Sequence, residues 1–248
     1  MAGPLEQFAI KPVLPLEVGG IDASITNSAL WMIAVVVMFC GFVYIATAAR
    51  AMVPNRLQSM AELLYQMVAN MVRDTVGPEG RSYFPFIFSL FAFILVGNLA
   101  GMLPYSFTVT SHLTVTLAFA ACIFFATIII SVTRHGLGFF SIFWPKGVPL
   151  FAMPLIVPIE ILSFLSRPIT LSVRLFANMT AGHILLKVFG GFMVSLLAAG
   201  SFYAALTLPV LGMAVAVTAL ELLVAVLQAY IFALLTCIYL SDAVHMHH

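Results

Sequence analysis

The chain has 248 residues, of which 63% are hydrophobic and 8% charged, with a formal net charge of +1. Soluble domains average about 25% charged residues, so the composition excludes an ordinary soluble domain, and without a basic cluster it offers nucleic acid no electrostatic footprint. A mean hydropathy of +1.15, carried in continuous rather than alternating apolar runs, points to an all-α integral membrane protein.

Residues 1–27 are polar and dotted with Pro and Gly, and read as a short external tail without the apolar core of a cleavable signal. Residues 28–49 are long enough to span, with Trp31 and Tyr44 as interface anchors and Arg50 closing the run. Over 55–76, Leu57, Met60, Ala61, Leu64, Met67, Val68, Met71 and Val72 form one apolar stripe, and Arg56, Gln58, Glu62, Gln66, Asn70, Arg73 and Asp74 take the other side. That pattern predicts an amphipathic helix lying in the interface or on partners, stopped by Gly77-Pro78.

A second span covers 83–103, interrupted at Gly97-Asn98 and leaving through Leu103-Pro104-Tyr105. A third covers 112–133 and ends at Arg134-His135-Gly136, so that 83–133 forms a helical hairpin. Residues 137–150 are rich in Gly, Phe and Pro, with Trp144-Pro145-Lys146 as an interface loop. Two over-long apolar helices follow, 155–198 and 205–241, turning at Ser201-Phe202-Tyr203 into a long, tilted antiparallel hairpin over 155–241. The expected architecture is five membrane-embedded helices and one amphipathic interfacial helix in a single membrane domain. The helix at 155–198 would be roughly 66 Å long, twice the hydrocarbon thickness of about 30 Å. It must tilt strongly, lie along the membrane, or break at Pro158, Pro168 or Gly190-Gly191. Cys40, Cys122 and Cys237 each sit inside an apolar run and read as small buried hydrophobes. His245, His247 and His248 read as a solvated tail, and no metal is expected.

Lys and Arg set the orientation. Arg50, Arg56, Arg73 and Arg81 fall between the first two spans, and Arg134 and Lys146 follow the third, whereas 104–111 and 199–204 carry no Lys or Arg. The positive-inside rule then places the N-terminus outside and the C-terminus in the cytoplasm, with Lys11 the one charge against it.

The segment from Pro158 to Lys187 holds the chemistry. It lies at membrane depth, yet it carries Glu160, Arg167, Arg174, Asn178, His183 and Lys187. An Arg at the bilayer centre costs about 2.5–3.5 kcal/mol on insertion scales, and intramembrane ionisable groups mark ion or proton paths by default. At roughly 100° per residue, Glu160, Ser163, Arg167, Thr170, Arg174 and Asn178 share one stripe. His183 falls roughly 180° away from Arg174, on a second polar face. Glu221 and Gln228 share a face of the last helix.

Arg174-Leu-Phe-Ala-Asn178-Met-Thr-Ala-Gly182-His183, followed by Glu221 and by Gln228-Ala-Tyr-Ile-Phe, resembles subunit a of the F-type ATP synthase membrane sector. The resemblance extends to Gly97-Asn98-Leu-Ala-Gly-Met-Leu-Pro104 and to the Pro158–Pro168 run, and covers nearly the whole chain beyond about residue 28. It implies a stator beside a rotating proteolipid ring, each ring subunit carrying one mid-membrane carboxylate, with peripheral-stalk b-type subunits and a soluble catalytic sector as further partners. It implies a bacterial inner membrane location in preference to a mitochondrial one, proton as the translocated ion, no cofactor, and no nucleotide chemistry in the subunit itself. Arg174 matches the family's essential arginine and Gln228 its neighbour on the last helix. Asn178 and Thr170 match polar residues lining the proton path. His183 and Glu221 match positions that carry an acid and a histidine in the opposite order in some bacterial relatives, and Gly101 stands where some carry Asp. Both departures suggest the alphaproteobacterial–mitochondrial branch.

Arginine stays protonated in proteins, so Arg174 is suited to act as a fixed charge facing the ring carboxylate rather than as a relay. Reference values of about 6.5 and 4.3 suit His183 and Glu221 to proton exchange with water, and both are assigned to an outer half-channel, with Asn98 and His112 as candidates for its mouth. His112 reads first as a solvated loop histidine. Glu160, Ser163 and Arg167 are candidates for an inner half-channel, though Arg167 reads equally as a snorkelling side chain. Lys187 has no assigned role. The alternatives are a stand-alone proton channel or secondary transporter, against which stands the lack of a repeat pairing the two halves, and a structural anchor, which leaves Arg174, His183 and Glu221 unexplained.

Overall fold

The computed structural model describes residues 12–14, 17–18, 21–22, 24–48, 51–103, 106–136, 138–139, 153–200 and 204–245. Lys11, Arg50, Pro104-Tyr105, the loop at Trp144-Pro145-Lys146, the turn at 201–203 and His247-His248 lie outside the described residues.

Among the described residues, six α-helices hold most of the structure: α1 (Asn27–Ala48), α2 (Arg56–Val76), α3 (Phe84–Gly101), α4 (Leu113–His135), α5 (Met153–Ala198) and α6 (Thr207–Val244). The expected all-α class holds, and five of these helices are long and apolar enough to cross a membrane; α2 is not among them. The N-terminal tail adds what its composition did not suggest. Strands β1 (Pro12–Leu14) and β4 (Ile25–Thr26) pair antiparallel, as do β2 (Glu17–Val18) and β3 (Ile21–Asp22). Thr26 closes the last strand and caps α1, its hydroxyl accepting the Ala29 N–H at 3.3 Å.

Contacts divide the chain into two compact units. The first comprises Met1–Phe42, Ala92–His112 and Leu175–Ala229. Its interior is built from Ile94 and Leu95 on α3, Val109 in the loop after it, Leu175 and Met179 on α5, and Ala225 and Ala229 on α6. Small residues on α6 let neighbouring backbone approach closely, the usual device of packed membrane helices.

The second unit comprises Val43–Phe91, Leu113–Arg174 and Tyr230–His248. Here α2 buries Val68, Met71, Val72 and Val76, the C-terminal part of its apolar stripe. Gly77, at φ +82°, ends the helix, its N–H donating to the Arg73 carbonyl at 3.1 Å. Pro78 opens a 3₁₀ turn, Pro78–Tyr83, that carries the chain into α3. A Cβ on Gly80 would stand 2.8 Å from Val72, so only glycine lets this turn pack on α2. Tyr65 meets Phe84 edge-on at 4.8 Å, and Phe84 stacks on Phe88. At the end of α4, Arg134 pairs with Glu79, and Gly136 at φ +56° provides the left-handed residue that commonly follows a helix.

An expected interruption in α3 is absent, and of the outcomes open to α5 the break does not occur. Helix α3 runs unbroken through Gly97-Asn98, because the Asn98 amide finds a partner outside its own helix and leaves the backbone ladder intact. Helix α5 keeps helical backbone through Pro158, Pro168 and Gly190-Gly191 over 46 residues. Each proline forfeits one backbone hydrogen bond without ending the run. At about 69 Å, α5 exceeds twice the hydrocarbon thickness, so with no break it must run obliquely or along the membrane.

Candidate functional site

The first unit holds Asn98, His112, Asn178, His183, Glu221 and Gln228 of the expected polar residues. Glu221 is 4% exposed and Asn98 0% exposed. His183 Nδ1 lies 3.4 Å from Glu221 Oε1. Two helices expected to form an antiparallel hairpin thus bring together residues 38 positions apart in sequence. The backbone of α5 permits the approach because residue 182 is glycine. A Cβ there would stand 2.8 Å from Glu221 Oε1 and 2.9 Å from its Cδ.

The other ring nitrogen, His183 Nε2, lies 2.9 Å from Thr108 Oγ1. Thr108 belongs to the loop after α3, and its hydroxyl donates to the Gly101 carbonyl at 3.2 Å. Ser106 donates to the same carbonyl at 2.8 Å. Gly101 closes this turn without a side chain, since a Cβ would stand 2.6 Å from Thr108 Cγ2 and 2.8 Å from its Oγ1. A little deeper on α3, Asn98 Nδ2 donates to the Ala225 carbonyl of α6 at 3.1 Å. The Thr180 hydroxyl on α5 reaches the Ser111 carbonyl at 3.4 Å.

Several buried polar atoms here lack a hydrogen bond among the described residues: Asn98 Oδ1, Thr110 Oγ1, Ser111 Oγ and both Glu221 carboxyl oxygens. Leaving a buried polar group unpaired costs about 1–3 kcal/mol, and such groups are ordinarily met by partners or ordered water. An ionised Glu221 alone in this apolar setting would be far costlier than a neutral pair. A titratable acid and a titratable base thus stand 3.4 Å apart inside this unit.

His112 departs from the solvated loop histidine expected of it. It is half-buried and stacked on Phe107, with ring centroids 4.8 Å apart, and burial pushes its pKa below the ordinary histidine value. Gln228 is buried in the same unit at 7% exposure, and Asn178 is half-buried.

The remaining candidates belong to the second unit. Arg174 is exposed and has no hydrogen-bond or ion-pair partner among the described residues. One turn to either side on its own helix, Thr170 is exposed and Asn178 half-buried, so the charge stands on the polar stripe of α5. Thr170 turns its hydroxyl back to the Ser166 carbonyl of its own helix at 2.9 Å, and Ser163 is exposed. Glu160 is half-exposed, and no cross-helix bond holds it among the described residues. Arg167 does not snorkel freely. Its Nη1 lies 3.1 Å from Asp242 Oδ2, and its guanidinium sits over the rings of Phe164 and Tyr239.

Thr108, Ser106, Gly182 and Asp242 were not singled out by their chemistry in the sequence. Gly182 stood inside the Arg174–His183 motif, and Asp242 is the only acid after Glu221, a signal that a search for Arg167's partner could have used. Among the described residues no three His, Cys, Asp or Glu side chains gather to hold a metal ion.

The sequence pattern of the ATP synthase A chain family matches residues 29–241. An ATP synthase subunit a from Mesorhizobium japonicum is 56% identical over 245 residues, covering 99% of this chain and 97% of its own length. One from Rhodospirillum rubrum is 53% identical over 247 residues, covering all of both chains. One from Agrobacterium fabrum is 53% identical over 245 residues, covering 99% of this chain and 98% of its own. All three organisms are alphaproteobacteria, one of the two groups to which the His183 and Glu221 order and Gly101 pointed.

Proposed function

This chain belongs to the ATP synthase A chain family, and from that membership we propose that it is the stationary membrane subunit that couples proton flow to rotation of a proteolipid ring. Membership supports a proton-transport role in the membrane sector. The finer reading is that two offset half-channels meet at the ring, one opening outside and one to the cytoplasm, in a bacterial inner membrane with the N-terminus outside. Peripheral-stalk b-type subunits would hold the chain still against the soluble catalytic sector. The subunit itself contributes no nucleotide chemistry.

The observation that carries the reading is the His183–Glu221 contact at 3.4 Å. A titratable base and a titratable acid meet inside an apolar helix pair, beside buried polar atoms able to hold water. Protons from outside would reach a ring carboxylate through this pair, with Asn98 and Gln228 among the groups that line the way. Arg174 supplies a fixed positive charge. Standing exposed on α5, it would attract each deprotonated ring carboxylate as it arrives. It would also disfavour a positive charge passing directly between the half-channels. The ion pair with the ring must be transient, because breaking a tight buried pair costs about 3–5 kcal/mol. Thr170, Glu160 and Ser163 lie toward the start of α5, where an inner half-channel would open, and Asn178 lies one turn past Arg174 on the same stripe. One elementary charge moved through 100 mV yields about 2.3 kcal/mol, so several protons are needed for each ATP.

The test is Glu221→Gln, which removes the exchangeable proton and keeps the side-chain shape. In inverted membrane vesicles carrying the whole complex, ATP-driven acidification should fall at least about tenfold, with the ring still co-purifying. Unimpaired pumping by this variant would remove Glu221 from the proton path.

A further inference from the structure

Within the reading just proposed, we infer that Thr108 is a positioning residue that fixes the tautomer of His183, keeping the ring hydrogen on Nε2 and turning a bare Nδ1 toward Glu221. The argument starts from hydrogen counting. A threonine hydroxyl has one hydrogen to donate and lone pairs to accept with. Thr108 Oγ1 lies 3.2 Å from the Gly101 carbonyl oxygen and 2.9 Å from His183 Nε2. A carbonyl cannot donate, so the hydrogen between Thr108 and Gly101 is the hydroxyl's own. The contact to the ring must then use a hydrogen on Nε2. In the reverse arrangement the hydroxyl would donate to Nε2, leaving two oxygen lone pairs facing each other across 3.2 Å.

The tautomer decides what His183 can do for Glu221. With Nε2–H engaged by Thr108, a neutral ring leaves Nδ1 without a hydrogen, 3.4 Å from Glu221 Oε1. A protonated Glu221 can then give its proton to Nδ1: the O–H bond breaks, the N–H bond forms, and a carboxylate faces an imidazolium. The return step reverses both changes. With the hydrogen on Nδ1, the neutral ring can only donate toward the carboxyl and accepts nothing from it. Thr108 therefore selects the tautomer in which the pair exchanges a proton. Gly101 serves the same end. A Cβ at 101 would press on the Thr108 hydroxyl at 2.8 Å and displace it from the ring. Thr108 is itself buried, so water does not readily replace it as the acceptor.

Solid-state NMR of the membrane-embedded complex, with ¹⁵N in the histidine rings, reads the tautomer directly; a His183→Gln sample assigns the signal. The neutral His183 ring should carry its hydrogen on Nε2. Thr108→Val removes the hydroxyl at nearly constant shape and should shift population to the Nδ1–H form and lower ATP-driven pumping about tenfold. Thr108→Ser should retain both the tautomer and most of the rate, and Gly101→Ala should resemble Thr108→Val. A wild-type ring protonated on Nδ1, or a Thr108→Val complex with an unchanged tautomer, overturns the assignment without needing any activity. If pumping proves indifferent to both Glu221→Gln and His183→Gln, the proton-path reading itself has failed, whichever tautomer is found.

Discussion

Replacing Gly182 by Ala tests the acid–base pair through its geometry rather than its chemistry. The added Cβ would stand 2.8 Å from Glu221 Oε1 and 2.9 Å from Cδ, where ordinary contact begins at 3.4 Å. Something must yield by roughly half an ångström. Helix α5 is held by its backbone ladder, so the Glu221 carboxyl is the part free to swing, away from its 3.4 Å approach to His183. Overpacking of this kind costs about 1–3 kcal/mol. Against that, Ala in place of Gly favours the helix by about 0.8–1.0 kcal/mol. Much of the stability loss is offset, and assembly should survive. The proton-transfer geometry has no such compensation, and at about 1.36 kcal/mol per tenfold change the flux should fall roughly 10- to 100-fold. The assay is ATP-driven acidification of inverted vesicles, normalised to the amount of assembled subunit. Adding Glu221→Asp shortens the acid by one methylene and should recover part of the loss. Full-rate pumping by Gly182→Ala would refute the claim that the 3.4 Å contact matters.

Arg174→Lys keeps the charge and loses the planar fork, so ATP synthesis driven by a proton gradient should largely fail. Arg174→Ala should in addition let protons leak passively through vesicles stripped of the catalytic sector, and normal ATP-driven pumping by that variant would sink the fixed-charge role. For orientation, a cysteine at Ser106 should react with an impermeant thiol reagent from outside in intact cells, whereas one at Glu62 on α2 should not; the opposite pattern would invert the topology.

The spans were legible because each is a continuous apolar run with a physical stop. The predicted first span, 28–49, became Asn27–Ala48, and the amphipathic helix ended at Val76, where Gly77 takes φ +82°. His183 and Glu221 were legible as a pair because both lie a similar distance from one turn. Gly97-Asn98 was misleading as a break, whereas at Pro158 and Pro168 a break was one of three outcomes, beside tilting and lying along the membrane. Local propensity disfavours them in helices, but tertiary context overrides propensity: Asn98 found the Ala225 carbonyl, and α5 absorbed its prolines. Asp242 and Thr108 were illegible for a different reason. Each acquires its role from a contact 75 positions away, with Arg167 and with His183 respectively, and nothing local to either residue announces it. Arg174 drew attention through its cost, a charge in an apolar segment, and through the Arg174–His183 motif, and neither signal requires a structure.

The most direct test of the account is a double-mutant cycle on proton-translocation rate with His183→Glu, Glu221→His and the double exchange, assembly being checked in each. Residues in contact typically couple by about 0.5–3 kcal/mol, and an acid and a base can exchange a proton in either order. The account predicts that each single exchange impairs flux and that the double exchange recovers well above both. If the effects of the two single exchanges simply add, His183 and Glu221 do not act as a pair, and the outer proton path built on them is wrong.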